Sequence, residues 1–330
     1  MNEMTRRERL EATVAGEAVD RVARALWRHF PVDDRRPADL AAATIEWQRA
    51  YDWDFVKVSP SSDYCLQDWG VRSEWVGGNE GSREYTCAPV HKPEDWARLH
   101  VLTPTEGALG GQISCLELLR DGLGPETPFI QTIFSPLAQA KNLAGRNRLL
   151  VHMRQHPELV HAGLETITRS TIQFVAACLS RGLAGIYYAV QLASYEVMSE
   201  HEYREFGEPY DRRILAAASD RWFNMVHLHG THVMFDLVAG YPVHAVNWHD
   251  REAGPTLESG AERFQGAVCG GLEHWDDLLR GNPEQIEERI SDAVAQTRGR
   301  RLIISSGCVS PINAPFCNLR AVRAARGSGS

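Results

Sequence analysis

Eight short, nearly continuous apolar runs alternate with longer segments of helical spacing, and this alternation constrains the fold more tightly than anything else in the chain. The runs are Ala23–His29, Phe55–Ser59, Phe129–Phe134, Gly185–Val190, Phe223–His229, Ala245–His249, Ala267–Gly271 and Leu302–Ser306. A strand that is apolar on both sides belongs in a parallel sheet covered on both faces. Strand and helix in turn, repeated eight times, predict an α/β fold of the (β/α)8 TIM-barrel type. The open, Rossmann-like alternative calls for a GxGxxG turn after a strand, and none follows any of these runs. The 330 residues suit two ordinary domains or one such barrel, which takes about 250. We read residues 1–326 as a single barrel domain and 327–330, Gly-Ser-Gly-Ser, as a flexible tail.

The helices carry their own punctuation. Thr5-Arg6-Arg7-Glu8 is a capping box and predicts a short helix ending at Gly16. Ala38–Tyr51 has helical spacing, and Pro157–Arg181 puts Val160, Leu164, Ile167, Ile172, Val175 and Leu179 on one broad apolar face. A second capping box, Ser199 to Glu202, opens a helix expected to run past Tyr210 through Ile214 and Leu215. Asn282, Pro283 and Gln285 supply the N-cap, the first-position proline and the returning side chain of a helix that buries Ile286, Ile290 and Val294. The rhythm breaks between Tyr64 and Leu123, where Gly77, Gly78, Gly81, Gly110 and Gly111 surround an alternating stretch near Arg83–Val90. Residues 64–123 are therefore expected to form an insertion after the second strand, a hairpin and a helix laid over the barrel mouth.

Charge narrows the partners. A net charge of −8 without a Lys/Arg block leaves no electrostatic footprint for nucleic acid. No run of eighteen apolar residues occurs, and Arg6 and Arg7 lead into Glu8, Arg9 and Glu11 rather than an apolar segment. Neither a membrane span nor a signal peptide is expected, and the reading is a cytoplasmic enzyme acting on a small molecule. Seven cysteines, odd in number and without a CxxC pair, read as thiols rather than a disulfide framework.

In a barrel of this kind the active site lies at the C-terminal ends of the strands. Those ends hold Arg28, His29, Lys57, Gln191, His227, His229, His249 and Cys308, more ionisable groups than core strands ordinarily finish in. His227-Leu228-His229 is the sharpest local motif, because residues two apart on a strand point to the same face. With Cys308 from the last strand, two imidazoles and a thiolate suit Zn²⁺ and leave a fourth position for an acid, water or substrate. Glu196 and Glu273 are candidates for that position. The plainer alternative is that the histidines hydrogen-bond within the mouth and Cys308 is a buried thiol. Lys57 and Arg28 are candidates for catalytic contact with substrate, against an ordinary pairing of Lys57 with Asp63 or Asp68 and an ordinary salt bridge for Arg28. Gln191, His249 and Tyr64 are candidates for substrate binding. His232 suits a helix start as well as a ligand, and of Tyr187 and Tyr188 one is expected to face the core and the other a helix.

Several stretches together resemble the uroporphyrinogen decarboxylase superfamily. They are Arg6-Arg7-Glu8-Arg9-Leu10, Gly16, Asp20-Arg21-Val22, Thr132 to Leu137 followed by Gly145, and Gly182 to Tyr187. Further along come Tyr203 with Pro209-Tyr210, His227 to Gly230, Gly270-Gly271-Leu272, Gly307-Cys308 and Asn318-Leu319. The resemblance spans nearly the whole chain in the right order and implies the same barrel. It also implies an expectation of homodimers.

The superfamily holds two chemistries. Decarboxylases of tetrapyrrole acetates use paired arginines, an aspartate, a tyrosine and a histidine. This chain resembles them poorly at those places: Val32 stands for the second arginine, no aspartate accompanies Val58-Ser59-Pro60, and Asp63 comes too late. Lys141 falls near the tyrosine's place and Cys308 near the histidine's. The chain looks more like the zinc-dependent methyltransferases that move a methyl group between a corrinoid protein and a thiol. Their metal is held by a His-x-Cys pair after strand five and a cysteine after strand eight. His227 and Cys308 match the first and last ligands, and His229 replaces the middle cysteine. The resemblance thus implies Zn²⁺ on His227, His229 and Cys308 activating a thiol, with a corrinoid as substrate or partner-bound group. A cofactor-free decarboxylase and a non-catalytic corrinoid- or tetrapyrrole-binding subunit are the alternatives.

Overall fold

The computed structural model describes residues 3–325; the expected tail at 327–330 lies outside them. In chain order the elements begin α1 (Arg6–Ala15), β1 (Ala23–Arg24), α2 (Pro37–Tyr51), β2 (Val56–Val58), β3 (Arg72–Glu74), β4 (Glu84–Cys87) and α3 (Gly107–Leu123). They continue β5 (Phe129–Phe134), α4 (Pro136–Ala144), α5 (Arg146–Gln155), α6 (Pro157–Leu179), β6 (Gly185–Val190), α7 (Glu200–Phe206), α8 (Glu208–Ala216) and β7 (Met225–Leu228). The last are α9 (Phe235–Ala239), β8 (Ala245–Asn247), α10 (Leu257–Arg263), β9 (Ala267–Leu272), α11 (Pro283–Thr297), β10 (Leu302–Ser306) and α12 (Phe316–Ala324). All eight expected strands are present. They form one parallel sheet in the order β1-β10-β9-β8-β7-β6-β5-β2, as in a (β/α)8 barrel. Both faces are covered, which is why Ile130, Tyr188, Val226, Val246, Val268 and Ile303 are fully buried.

β1 and β2 end the sheet, and Asp54 joins them. Its backbone N–H donates to the Arg24 carbonyl at 2.9 Å, while its carboxylate accepts the Arg24 N–H at 2.7 Å. Arg9 and Arg21 both donate to that carboxylate, at 2.7–2.9 Å. The Asp54 side chain is 1% exposed and that of Arg9 is 3% exposed, so α1, β1 and β2 meet at one enclosed ionic knot. The seam is short because β1 keeps its ladder only over Ala23–Arg24; the rest of the expected strand is extended chain that lines the mouth.

Two expectations need correction. The helix expected to run from Ser199 past Tyr210 is broken into α7 and α8 at Gly207. A Cβ there would lie 2.6 Å from the Tyr203 ring, and Pro209 restarts the next helix. Tyr203, Tyr188 and Tyr241 then all donate to the buried carboxylate of Asp211 at 2.5–2.7 Å, tying α7 and α8 to β6. The second correction concerns residues 64–123. Their helix, α3, packs against α2 and α6 in the outer ring rather than over the mouth. Only the antiparallel β3–β4 hairpin and its flanking turns reach the mouth, where Gly81 (φ 72°) presses so close that a Cβ would lie 2.7 Å from that of His29. Among the described residues no helix is long and apolar enough to cross a membrane.

Removing one partner from a buried ion pair leaves an uncompensated charge and costs about 3–5 kcal/mol. Asp54→Ala is therefore expected to lower the denaturant midpoint by up to that equivalent, since Arg21 loses both of its carboxylate contacts while the buried Arg9 is left with Asp20 alone. A midpoint unchanged from the parent would show that the seam closes without this carboxylate.

Candidate metal centre

The strand ends surround a cavity of about 260 Å³ lined by Trp27, His29, Lys57, Phe134, Lys141, Tyr187, Gln191, His227, His229 and Cys308, with Glu80 and Arg83 reaching in from the hairpin. His227 is the third residue of β7, His229 follows that strand, His249 follows β8 and Cys308 follows β10. Each of these four offers a potential ligand atom, and those atoms lie within 4.8 Å of one another. Ring centroids are 5.8 Å apart for His227–His229, 6.0 Å for His227–His249 and 5.3 Å for His229–His249. Cys308 Sγ stands 3.9 Å from His229 Nδ1, close to the roughly 3.6 Å that separates sulfur and nitrogen donors around tetrahedral zinc.

The surroundings fix which nitrogen faces the cluster. Asn247 gives its two N–H groups to the carbonyls of Cys269 and Ser306 at 2.8 and 3.1 Å. Its oxygen is thereby turned inward, where it accepts from the Tyr187 hydroxyl at 3.0 Å and from His227 Nδ1 at 2.7 Å. An amide oxygen accepts only, so Nδ1 carries the proton and Nε2 keeps its lone pair, the arrangement in which an outer partner orients a ligating histidine. His249 turns Nδ1 toward Glu252 at 3.4 Å, and its Nε2 is buried with no hydrogen-bond partner. An orphaned buried acceptor among two other imidazoles and a thiol is what a cation would satisfy. Burial, reinforced by the neighbouring histidines, holds His227 well below its ordinary pKa. Burial and adjacent charges bring His229 and His249 down to about 4. At neutral pH all three rings are thus uncharged and free to ligate. Burial pushes the Cys308 thiol up to about 12, so it keeps its proton until a cation draws it off.

The other candidates divide. Lys57 and Gln191 face the cavity as expected. Lys57 Nζ donates to Ser59 Oγ at 3.1 Å, rather than to Asp63 or Asp68, and sits 4.8 Å from the Tyr187 ring centroid. Burial lowers it to about 7. Lys141 donates to Gln191 Oε1 at 2.9 Å and is lowered by burial to about 8. Arg28 is corrected: Trp27 and His29 point into the mouth, so strand parity sends Arg28 outward. There it donates to the Ile312 carbonyl at 2.9 Å and packs over Phe30 and Trp47. Tyr64 is corrected too, since its buried hydroxyl donates to the Thr132 carbonyl at 2.7 Å and its ring packs on Phe134 and Phe174. His249 joins the donor cluster rather than standing apart as a substrate contact. His232 and Glu196 pair with each other on the surface at 2.8 Å. Tyr187 faces the core, and Tyr188 the helices through Asp211. Sequence reasoning missed Asn247 and Glu80. Asn247 lies two residues before His249 on the same face, which parity could have revealed; the hairpin loop bearing Glu80 has no periodic signal.

A family profile described as uroporphyrinogen decarboxylase (URO-D) matches residues 5–328. The chain belongs to the URO-D family. Its similarity to a methylated-thiol–coenzyme M methyltransferase of Methanosarcina mazei runs end to end, at 24% identity over 99% of this chain and 90% of that one. A uroporphyrinogen decarboxylase of Rhodococcus opacus is 30% identical over 64% of this chain and 60% of that one. A solved methyltransferase from Methanosarcina mazei shares the fold with a TM-score of 0.87, covering 98% of both chains at 18% identity.

In this URO-D-family chain the cluster's proton balance makes a measurable prediction. Ligation requires the thiolate and neutral imidazoles, and above about pH 5 only the thiol still has a proton to lose. Zinc titration of the metal-free protein at pH 7 should release about one proton per ion, so affinity rises about tenfold per pH unit. Cys308→Ala should abolish both the release and the slope; a pH-independent affinity in the parent would count against Cys308 as a ligand.

Proposed function

We propose that this chain transfers a methyl group between a corrinoid and a small thiol at a zinc ion held by His227, His229 and Cys308, with His249 as a further donor. The observation that carries the reading is the convergence of three uncharged imidazoles and one thiol at the mouth of a URO-D-family barrel. The full-length similarity to a protein named as a methylated-thiol–coenzyme M methyltransferase points the same way. Bound zinc supplies a Lewis acid that lowers the pKa of a thiol. Everything else is the work of the chain.

Asn247 and Tyr187 hold His227 in one tautomer and orientation. Trp27, Phe134 and Val309 give the cavity apolar wall that limits water beside the reacting sulfur. Lys57 and Lys141 lack a carboxylate partner among the described residues, so an incoming anion would complete them. The acceptor is accordingly a thiol that bears its own acidic group. In the transfer the sulfur lone pair forms the new S–C bond while the electron pair of the cobalt–carbon bond stays with the corrinoid. Decarboxylation is the weaker reading, because Arg28, its intended carboxylate anchor, is spent on Ile312.

The test is demethylation of methylcobalamin by small thiols, followed by its absorbance, on protein of known metal content. The parent should carry about one zinc at this cluster and turn over. His227→Ala and Cys308→Ala should fold, lose that zinc and lose activity by 100-fold or more. Zinc-loaded parent that leaves methylcobalamin intact with every thiol tried would sink the transferase reading. Cys308→Ala with unchanged turnover would remove the thiolate from it. Lys57→Met should raise KM for a carboxylated or sulfonated thiol about tenfold while leaving a neutral thiol unaffected, an ammonium–anion contact being worth about 1.5–3 kcal/mol. Equal effects on both thiols would deny Lys57 that contact.

A further inference from the structure

A second group of donors adjoins the first and shares His249 with it. His249, Glu252 and His274 place potential ligand atoms within 4.8 Å of one another. Glu252 lies in the turn after β8, and Glu273 and His274 follow β9. Glu252 presents one oxygen to each ring, Oε2 at 3.4 Å from His249 Nδ1 and Oε1 at 3.1 Å from His274 Nδ1. Glu273 Oε1 is 3.6 Å from the same His274 nitrogen, and Glu80 of the hairpin is 3.3 Å from His274 Nε2.

Two features separate this group from an ordinary salt bridge. The first is spacing. Charge-assisted N–H···O bonds close to about 2.7–2.9 Å, whereas donors held about 2.1 Å from a cation stand roughly 3.0–3.4 Å apart. Glu252 Oε1 stands 3.1 Å from His274 Nδ1, inside that wider range, with Glu273 Oε1 further out at 3.6 Å. The second is charge. Glu80, Glu252 and Glu273 converge on histidines that are 3% and 7% exposed, and among the described residues no lysine or arginine pairs with any of the three. Asp54, by contrast, gathers two guanidiniums. All three carboxylates share the one buried ring of His274, which balances at most one of them, and a divalent cation would balance the rest.

We propose that Glu252 and His274, with Glu273 in reach, form a second divalent-cation site adjoining the His/Cys cluster at His249. His249 keeps its Nδ1 proton toward Glu252 and leaves the orphaned Nε2 to the first site, so the ring links the two sites through Glu252. A donor set of nitrogen and oxygen without sulfur suits Mn²⁺, Fe²⁺, Co²⁺ or Zn²⁺ rather than a soft ion such as Cu(I). The proposal stands independently of methyl transfer, since it concerns ion stoichiometry alone.

Chelator-stripped protein titrated with Co²⁺, read by visible absorption and by elemental analysis after gel filtration, tests it. Two equivalents are expected. One should carry the sulfur-to-cobalt charge-transfer band and disappear in Cys308→Ser, which keeps the other. The other should bind at least tenfold more weakly in both Glu252→Gln and His274→Ala while the band survives. Saturation of the parent at one equivalent overturns the second site, and so do two undiminished equivalents in both variants or loss of the band along with the second ion. Stoichiometry of the parent decides the matter alone if either variant fails to fold.

Discussion

The carboxylate of Asp54 stands where the first and last members of the sheet must meet, and the geometry of the mouth depends on that meeting. A barrel fixes the separation of its strand ends only once it is closed. Here closure rests on one backbone hydrogen bond, one N–H given to a side chain, and two guanidiniums wrapped around the same carboxylate. The knot sits at the opposite end of the strands from the donors, yet it sets the distance between β2, which carries Lys57, and the extended chain after β1, which carries His29. Arg9 and Arg21 come from segments outside the sheet. The closure is thus enforced by charge from α1 and its following turn rather than by more ladder.

At the other end, specificity comes from satisfied polar groups. Asn247 is the pivot: both of its N–H groups are held by strand carbonyls, so its oxygen has only one direction left to point. That oxygen holds Tyr187 and His227 together, and the neutral tautomer of His227 follows from it. The hairpin adds the outer wall. Gly81 lets it approach His29 closely, which brings Glu80 to His274 and Arg83 to Asp34 and makes the mouth a cavity instead of an open dish.

Much of this was legible in the sequence. The eight strands could be read because strands buried on both faces are continuously apolar, and His227, His229 and Cys308 because a strand's two-residue period puts HxH on one side. Arg28 is misread for want of the same parity argument, since Trp27 is inward and Arg28 cannot be, whereas Tyr64 lies beyond a strand end where no period applies. His249 was found, but its membership of the cluster depends on the lateral order of β7, β8 and β10, which the run of strands along the chain implies and the residues themselves do not. The break at Gly207 escaped because a capping box announces where a helix starts and says nothing about a ring packed across its end. Glu80 and its contact with His274 come from loop geometry and left no trace in the pattern.

The donors of the His/Cys cluster come from the ends of three separate strands and meet only when those strands are assembled in the sheet, so an unfolded chain presents them as scattered, weak ligands. An ion that binds the native form alone stabilises it by mass action, by about 4 kcal/mol when its free concentration is a thousand times its dissociation constant. Occupancy and folding are then one equilibrium viewed from two sides. With an ion held there, resistance to unfolding, and with it the survival of the protein, would follow how much metal the surroundings supply.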